Sequence, residues 1–173
     1  MIQKLIKILF SKNNRKIIEK NILYRNDAEE LLNDEFDFTE CELLEYDKHV
    51  EFFYTNIINS LILFSYSSEE LRKMEYILID PLTELYEELD YAFTPVLFET
   101  VFRNNKINNN IKDNLLKFKK MVDDIPNEIW DYNFIGVNNE WKDVQLLAEH
   151  LLNRMDVKSK TFNTKFHNIH FKH

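Results

Sequence analysis

Hydrophobic residues recur at three- and four-residue spacing along most of this chain, a pattern that predicts α-helices. The best defined run extends from about Glu40 to Ser65, where the large apolar residues keep to one face. Its second half, IINSLILF, is apolar on nearly every side, which is typical of a helix that is buried all round. We therefore predict that this half forms the centre of the core, with Leu61 buried in it.

Polar residues and prolines mark where the helices are predicted to begin. Thr39 and Glu42 have the spacing of a capping box, in which each side chain bonds the other residue's backbone N–H. The sequence SSEE at 67–70 is predicted to cap a further helix that continues to Ile79. Proline is tolerated at the first helical position but not inside a helix. Two more helices are therefore predicted to start at the pairs Asp80-Pro81 and Thr94-Pro95.

The second half of the chain contains the clearest predicted loop, the run NNKINNN at 104–110. The inner face of the lysine-rich helix that follows it is predicted to carry Ile111, Leu115, Phe118 and Val122. After an irregular segment near Gly136, Asn139 is predicted to cap a last helix. The buried stripe of that helix is predicted to hold Trp141, Val144, Ala148, Leu151, Leu152 and Met155. Residues 157–173 alternate loosely and fit an added strand, an extended arm or disorder.

Composition supports an all-α fold. The chain has 173 residues, of which 45% are hydrophobic, enough for one sizeable core. Gly136 is the only glycine, so almost no residue suits the left-handed positions of tight hairpins. We predict an irregular helical bundle of about seven helices, forming a single domain over residues 1–173. Residues 157–173 are predicted to be a peripheral tail with a short strand or an extended arm.

The N-terminal segment and the cysteine content bear on the cellular compartment. Residues 1–10 are amphipathic, but Lys4 and Lys7 interrupt the apolar run and no small-residue cleavage site follows. Neither a signal peptide nor a membrane span is predicted, and a short core helix is favoured over a helix lying on a membrane surface. Cys41 is the single cysteine, which excludes an internal disulfide and favours a cytoplasmic location.

Charge is distributed unevenly along the chain. Residues 27–99 hold 20 Asp and Glu residues against three basic residues, a local charge of −17 in a chain whose net charge is −8. Residues 1–26 sum to +6 and residues 101–173 to +3. An ordinary solvated helix face mixes lysine with glutamate and gains from the pairing. The imbalance therefore favours a surface that meets a cationic partner.

Two acidic stretches are predicted to form that partner-binding surface. On the face opposite the apolar stripe of the helix after Pro81 lie Glu84, Glu87, Glu88 and Tyr91. The other stretch, which is interleaved with aromatic residues, carries Glu35, Asp37, Glu40, Glu42 and Glu45. Tyr91 is the predicted anchor, because an aromatic ring amid carboxylates can bury apolar area and form hydrogen bonds. A merely solvated surface is the alternative. Nearby, Asp47 lies within an apolar stripe and either pairs with a lysine or has a raised pKa.

Catalytic signatures are absent from the sequence. It contains no glycine-rich phosphate loop and no HExxH, CxxC or ExxH motif. Three C-terminal histidines would align on one side of a helical tail but lack neighbouring carboxylates: His167, His170 and His173. Cys41 is flanked by Glu40 and Glu42, which oppose thiolate formation. We therefore predict no enzymatic activity, no cofactor and no metal site.

The chain resembles the immunity proteins that are encoded beside secreted toxins of bacterial contact-dependent and polymorphic systems. The likeness lies in its size, its single cysteine and its acidic helices that bear aromatic residues. The segments that carry the resemblance are IDPLTELYEELDYAF and NNEWKDVQLLAEHLLNRM. The resemblance implies a cytoplasmic protein that neutralises a cognate toxin, often a basic nuclease, by covering its active site with acidic side chains. The alternatives are a helical adaptor or regulator and a nucleic-acid mimic that inhibits a DNA-binding protein. Direct binding of nucleic acid is not expected.

Overall fold

A computed structural model describes residues 38–166, and in this range the chain forms seven α-helices and no strand. The all-α prediction is confirmed. The helices are α1 (Glu40–Asp47), α2 (Val50–Ser65), α3 (Ser68–Lys73), α4 (Pro81–Ala92), α5 (Pro95–Arg103), α6 (Lys112–Asp123) and α7 (Asn139–Arg154). Single 3-10 turns lie at Met74–Tyr76, Asn109–Ile111, Asn127–Ile129 and Thr164–Phe166. The predicted N-terminal helices and the three C-terminal histidines lie outside the described residues.

Helix α2 is the centre of the core, as its all-round apolar sequence predicts. It packs against α4, α5 and α7, while α6 packs on α7 and α1 on α5. Eleven of its sixteen residues are buried, among them Leu61, which has no exposed surface. The predicted inner faces of α6 and α7 are buried as well, except that Met155 is half-buried. The period of the apolar residues therefore identified the core correctly.

The helix starts follow the capping residues in the sequence. Thr39 and Glu42 form the predicted capping box: Glu42 accepts from the Thr39 backbone N–H at 2.9 Å, and the Thr39 hydroxyl accepts from Glu42 N–H at 3.3 Å. Asp80 caps α4, whose first residue is Pro81. Asn138 rather than Asn139 caps α7, with its Oδ1 2.8 Å from the backbone nitrogen of Glu140. Local polar chemistry thus sets these boundaries to within a residue.

The prediction of one continuous helix from Glu40 to Ser65 is wrong, because the chain turns between α1 and α2. Lys48 ends α1, and His49 has non-helical backbone angles, φ −110° and ψ 12°. The turn directs α1 towards α5, where Arg103 binds both the carboxylate of Asp47 and the carbonyl of Leu43. A tertiary contact, rather than a local breaker such as proline or glycine, accompanies the break.

The helix that begins after Ser67 is shorter than predicted. It ends at Lys73 rather than Ile79 and is followed by the 3-10 turn Met74–Tyr76. The Glu84 carboxylate accepts hydrogen bonds from the backbone N–H groups of Ile79 and Asp80, at 2.5 and 3.0 Å. These bonds hold the chain in a loop ahead of α4 instead of a helix.

The segment after α7 lies along α2 as an arm that forms neither helix nor strand as far as Asn163. Phe162 is buried, with 5% of its surface exposed. Asn59 of α2 binds the Asn163 backbone twice, donating to the carbonyl at 3.0 Å and accepting from the N–H at 2.8 Å. The Tyr66 hydroxyl donates to the Lys160 carbonyl at 3.0 Å. The predicted alternatives for this tail were a strand, an extended arm or disorder, and its described part forms the extended arm.

Candidate functional site

Part of the acidic charge is neutralised inside the fold by the basic second half of the chain. Four carboxylates from the acidic helices form ion pairs with cations that follow Thr100 in sequence. The pairs are Asp47 with Arg103, Glu51 with Lys106, Glu99 with Lys112 and Asp90 with Lys119. Part of the imbalance in the sequence is therefore an arrangement of partners that meet in the folded chain. Some of the other carboxylates have roles within their own segment of the chain, as described next.

The contacts of Asp47 decide between the two alternatives predicted for it, an ion pair with a lysine or a raised pKa. Its carboxylate lies 2.5 Å from Nη2 of Arg103 and 2.6 Å from the side-chain nitrogen of Asn104. The hydrogen bond from Arg103 is the main reason that the pKa of Asp47 lies below its usual range, with Asn104 contributing as well. The partner is thus an arginine of α5 rather than a lysine, and the pKa is lowered rather than raised.

This ion pair predicts a pH-dependent contribution to stability. A lowered folded-state pKa means that the contribution is present above the unfolded-state value of about 3.9 and is lost as the pH falls through the folded value. At pH 7 we expect Asp47→Asn to unfold at a lower urea concentration than wild type, and at pH 3 or below the two midpoints should approach each other. Asp143→Asn is the control, because Asp143 is exposed and has no ion pair among residues 38–166. An equal difference at both pH values would contradict the prediction.

The acidic residues of α1 have three different roles. Glu40 is exposed and has no ion pair within residues 38–166. Glu42 closes the capping box, and the Thr39 backbone N–H holds the pKa of Glu42 below its usual range. Glu45 pairs with Lys48 at 2.5 Å. Of these three predicted partner-binding residues, Glu40 can form a new ion pair without giving up an existing contact. Glu35 and Asp37 lie outside the described residues.

The acidic residues of α4 also divide by role. Glu84 holds the loop ahead of the helix, as described above, and is half-buried. Glu87 is exposed, with no ion-pair partner among residues 38–166. Glu88 is half-buried beside Tyr91, and its charge raises the pKa of the Tyr91 phenol. Glu87 and Glu88 therefore supply negative surface charge, whereas Glu84 mainly has a structural role.

Tyr91 is less exposed than a position opposite the apolar stripe suggests. Its ring packs against Phe52 of α2, with 6.0 Å between ring centroids. Burial is the main cause that raises the pKa of Tyr91 to about 12, followed by the charges of Glu88 and Tyr46. Its role as the partner's anchor stays a prediction, and only the exposed part of the ring is available for it.

The two acidic stretches approach the same aromatic rings of α2. Tyr46 of α1 meets Phe53 with 6.3 Å between ring centroids, and Tyr91 of α4 meets the adjacent Phe52 with 6.0 Å. Tyr46 is buried, with 9% of its surface exposed. Burial and then the charge of Glu42 raise the pKa of Tyr46. We call Glu42, Tyr46, Glu88 and Tyr91 the tyrosine surface. A site of this kind suits a lysine or arginine side chain, which carboxylates attract and aromatic rings can stack on. The apolar period of the sequence places Tyr46 on the inner face of its helix, and Tyr46 is buried there.

Other candidate chemistry is limited in the described part of the chain. Residues 38–166 contain no group of three His, Cys, Asp or Glu residues placed to hold a metal ion. Cys41 is exposed and lines an open groove with Leu44, Glu45, Asp47 and Lys48. None of the helices between residues 38 and 166 has the length and apolar character needed to cross a membrane.

Comparison with protein-family models, with curated protein sequences and with solved structures gave no match to this chain. The functional assignment therefore depends on the surface just described.

Proposed function

We propose that this chain is a non-enzymatic immunity protein that acts in the cytoplasm and neutralises a cognate basic toxin by binding it. The observation that supports the proposal is the convergence of the two acidic stretches on the rings of α2, where Tyr46 meets Phe53 and Tyr91 meets Phe52. Carboxylates that served only for hydration would have no reason to gather beside a half-buried phenol such as Tyr91. Such a juxtaposition is typical of a surface that receives a cationic side chain.

The fold separates structural carboxylates from those that can attract a partner. Asp47, Glu51, Asp90 and Glu99 already form ion pairs with the second half of the chain. Glu40 and Glu87 carry exposed charge without an ion-pair partner among residues 38–166. Exposed charge of one sign raises the rate at which an oppositely charged partner is captured. The toxin would thus be attracted by the exposed carboxylates and held at the tyrosine surface.

The proposed function predicts a toxin gene directly upstream of the gene for this chain, and the test uses the protein that this gene encodes. Induction of that toxin in a heterologous bacterial host is expected to stop growth, and co-expression of this chain is expected to restore it. A toxin from an unrelated system is the specificity control, since it should remain lethal. Failure of the chain both to restore growth and to bind the upstream toxin would reject the proposal. Turnover of a small molecule by the purified chain alone would reject it as well.

Removal of two charges from α4 should slow toxin binding. We expect Glu87→Gln with Glu88→Gln to lower the association rate constant roughly tenfold at low ionic strength and to flatten its dependence on salt. Dissociation should change less than association, because Tyr91 of the tyrosine surface is unaltered. Glu84 is left intact, because its carboxylate holds the loop before α4. Stopped-flow fluorescence at several salt concentrations measures both rates.

The matched control for this pair of substitutions is Glu140→Gln with Asp143→Asn on α7. Both residues are exposed, and the change in net charge is the same. If the two double variants slow association equally, total charge steers the toxin and the α4 face has no special role.

A further inference from the structure

The exposed hydrophobic side chains of the described residues are concentrated on two loops. Seven large hydrophobic residues between 38 and 166 are exposed, and five of them lie on or beside the loop before α4 and the loop before α7. These five are Tyr76, Ile79, Tyr86, Phe134 and Val137. Tyr76 is 83% exposed, the highest value of the seven. Single exposed hydrophobic residues are ordinary, but a concentration of them marks an interaction surface.

The two loops adjoin each other. The guanidinium of Arg72 lies 4.0 Å from the centre of the Tyr132 ring. This contact joins the end of α3 to the loop before α7. The indole nitrogen of Trp130 donates to the Leu82 carbonyl at 3.2 Å. The Trp130 ring also meets Tyr86 edge to face, with 5.8 Å between centroids. The second loop therefore contacts the chain on both sides of the first loop, at the end of α3 and at the start of α4. We call Tyr76, Ile79, Phe134 and Val137 the loop patch.

The backbone that carries the loop patch is held in place. Glu84 accepts hydrogen bonds from the backbone N–H groups of Ile79 and Asp80. In the other loop the Phe134 carbonyl accepts from the N–H groups of Val137 and Asn138, at 3.0 and 2.9 Å. Exposed apolar groups on a fixed backbone lose little conformational entropy when a partner binds. The loop patch is therefore preorganised for docking.

The charges around the loop patch indicate what kind of partner fits it. Glu75 and Asp80 lie near Tyr132, and after burial their charges are the main causes that raise the pKa of that phenol. Arg72 stacks on Tyr132 and Lys73 pairs with a carboxylate of α3. These two cations are outnumbered, because residues 69–91 hold eight Asp and Glu residues. The rim is thus acidic, so a second copy of this chain would bring like charges together. A basic protein complements the rim instead.

The position of α4 relates the loop patch to the tyrosine surface. The loop patch residue Ile79 precedes the N-terminus of α4, while Glu88 and Tyr91 lie in its last turns. The helix has twelve residues and is therefore about 18 Å long. A stable interface of standard size covers about 800 Å² of each partner, which is broad enough to span this distance.

We propose that the loop patch is a second docking region for the same basic toxin, which inserts an apolar side chain flanked by lysine or arginine against Tyr76 and Ile79. The proposal rests on the proposed function, because it names the same partner. Tyr76 is the anchor of this region, since an exposed tyrosine on a rigid loop combines apolar area with a hydroxyl group at low entropic cost. The toxin's footprint then follows α4 from one end to the other.

The experiment measures dissociation of a catalytically inactive form of the upstream toxin from variants of this chain. Tyr76→Ala is expected to raise the dissociation rate constant by about 30-fold, as for a hot-spot residue, with little change in association. Leu146→Ala is the matched control, because Leu146 is 64% exposed on α7 and lies outside the loop patch. Both variants should unfold at the wild-type temperature, since neither side chain contributes to the core.

The outcomes separate the two proposals. If wild type binds the toxin and Tyr76→Ala dissociates at the wild-type rate, the loop patch proposal is overturned and the immunity function stands. If wild type does not bind the toxin, both proposals are overturned. Sedimentation of the chain alone tests whether a second copy of the chain covers the loop patch. If wild type is a dimer and Tyr76→Ala is a monomer, the loop patch is a dimer interface and the toxin assignment is overturned.

Discussion

Leu61→Ala is expected to lower the free energy of unfolding by about 2–5 kcal/mol, because the change deletes buried methyl groups and leaves a cavity. Leu61 has no exposed surface and lies on α2, which packs against three other helices. Close packing on every side leaves the neighbouring elements little room to collapse into the space. Urea denaturation followed by circular dichroism measures the change.

Two controls accompany this substitution. Ser60→Ala alters the neighbouring buried position, whose hydroxyl has no hydrogen-bond partner in the described structure, so stability should stay the same or rise. Leu146→Ala removes the same atoms from an exposed site and should change stability by less than about 0.5 kcal/mol. A wild-type midpoint for Leu61→Ala would show that α2 is not the centre of the core.

Phe162→Ala is expected to lower the free energy of unfolding by about 3–5 kcal/mol, the usual range for a buried phenylalanine. Phe162 is the buried residue of the arm, and beside it Asn163 is bound by the side chain of Asn59. Loss of the ring should also let the arm leave α2, which frees the backbone at the exposed residues Lys160 and Lys165 for cleavage by trypsin. The measurements are the urea midpoint and the rate of limited proteolysis.

The control for the arm is Lys158→Ala, because the Lys158 side chain is 85% exposed. It should match wild type in stability and in the rate of cleavage elsewhere in the arm. If Phe162→Ala behaves in the same way as this control, the arm covers α2 without stabilising it.

The sequence predicted those parts of the fold that local chemistry determines. The capping box at Thr39, the proline starts of α4 and α5 and the apolar stripe of α6 depend on residues within a turn or two of each other. The break after Asp47 could not be predicted in this way, because the Asp47 carboxylate is held by Arg103, 56 residues further on. Only the folded chain brings these two residues together.

Only part of the candidate surface could be predicted, because contacts between distant residues decide which side chains are exposed. Helical periodicity correctly left Glu87 exposed. Periodicity also predicted that Tyr91 faces outward, because it identifies a single buried stripe on each helix. It cannot predict that Phe52 of another helix covers Tyr91 outside that stripe. The loop patch was missed because Tyr76 and Ile79 were assigned to a helix. Glu84 binds the backbone N–H groups of Ile79 and Asp80, which keeps this part of the chain out of a helix, and sequence spacing does not indicate these bonds.

The contact between Asn59 and Asn163 has a consequence for how this protein is made in the cell. The two residues are 104 positions apart, and ribosomes add roughly 5–20 residues per second, so the arm is synthesised roughly 5–20 seconds after the helix it covers. During that interval the nascent chain contains its most apolar helix without the segment that covers one side of it. We therefore expect final closure of the core to occur late in translation or after it, with the apolar surface of α2 accessible to chaperones until then.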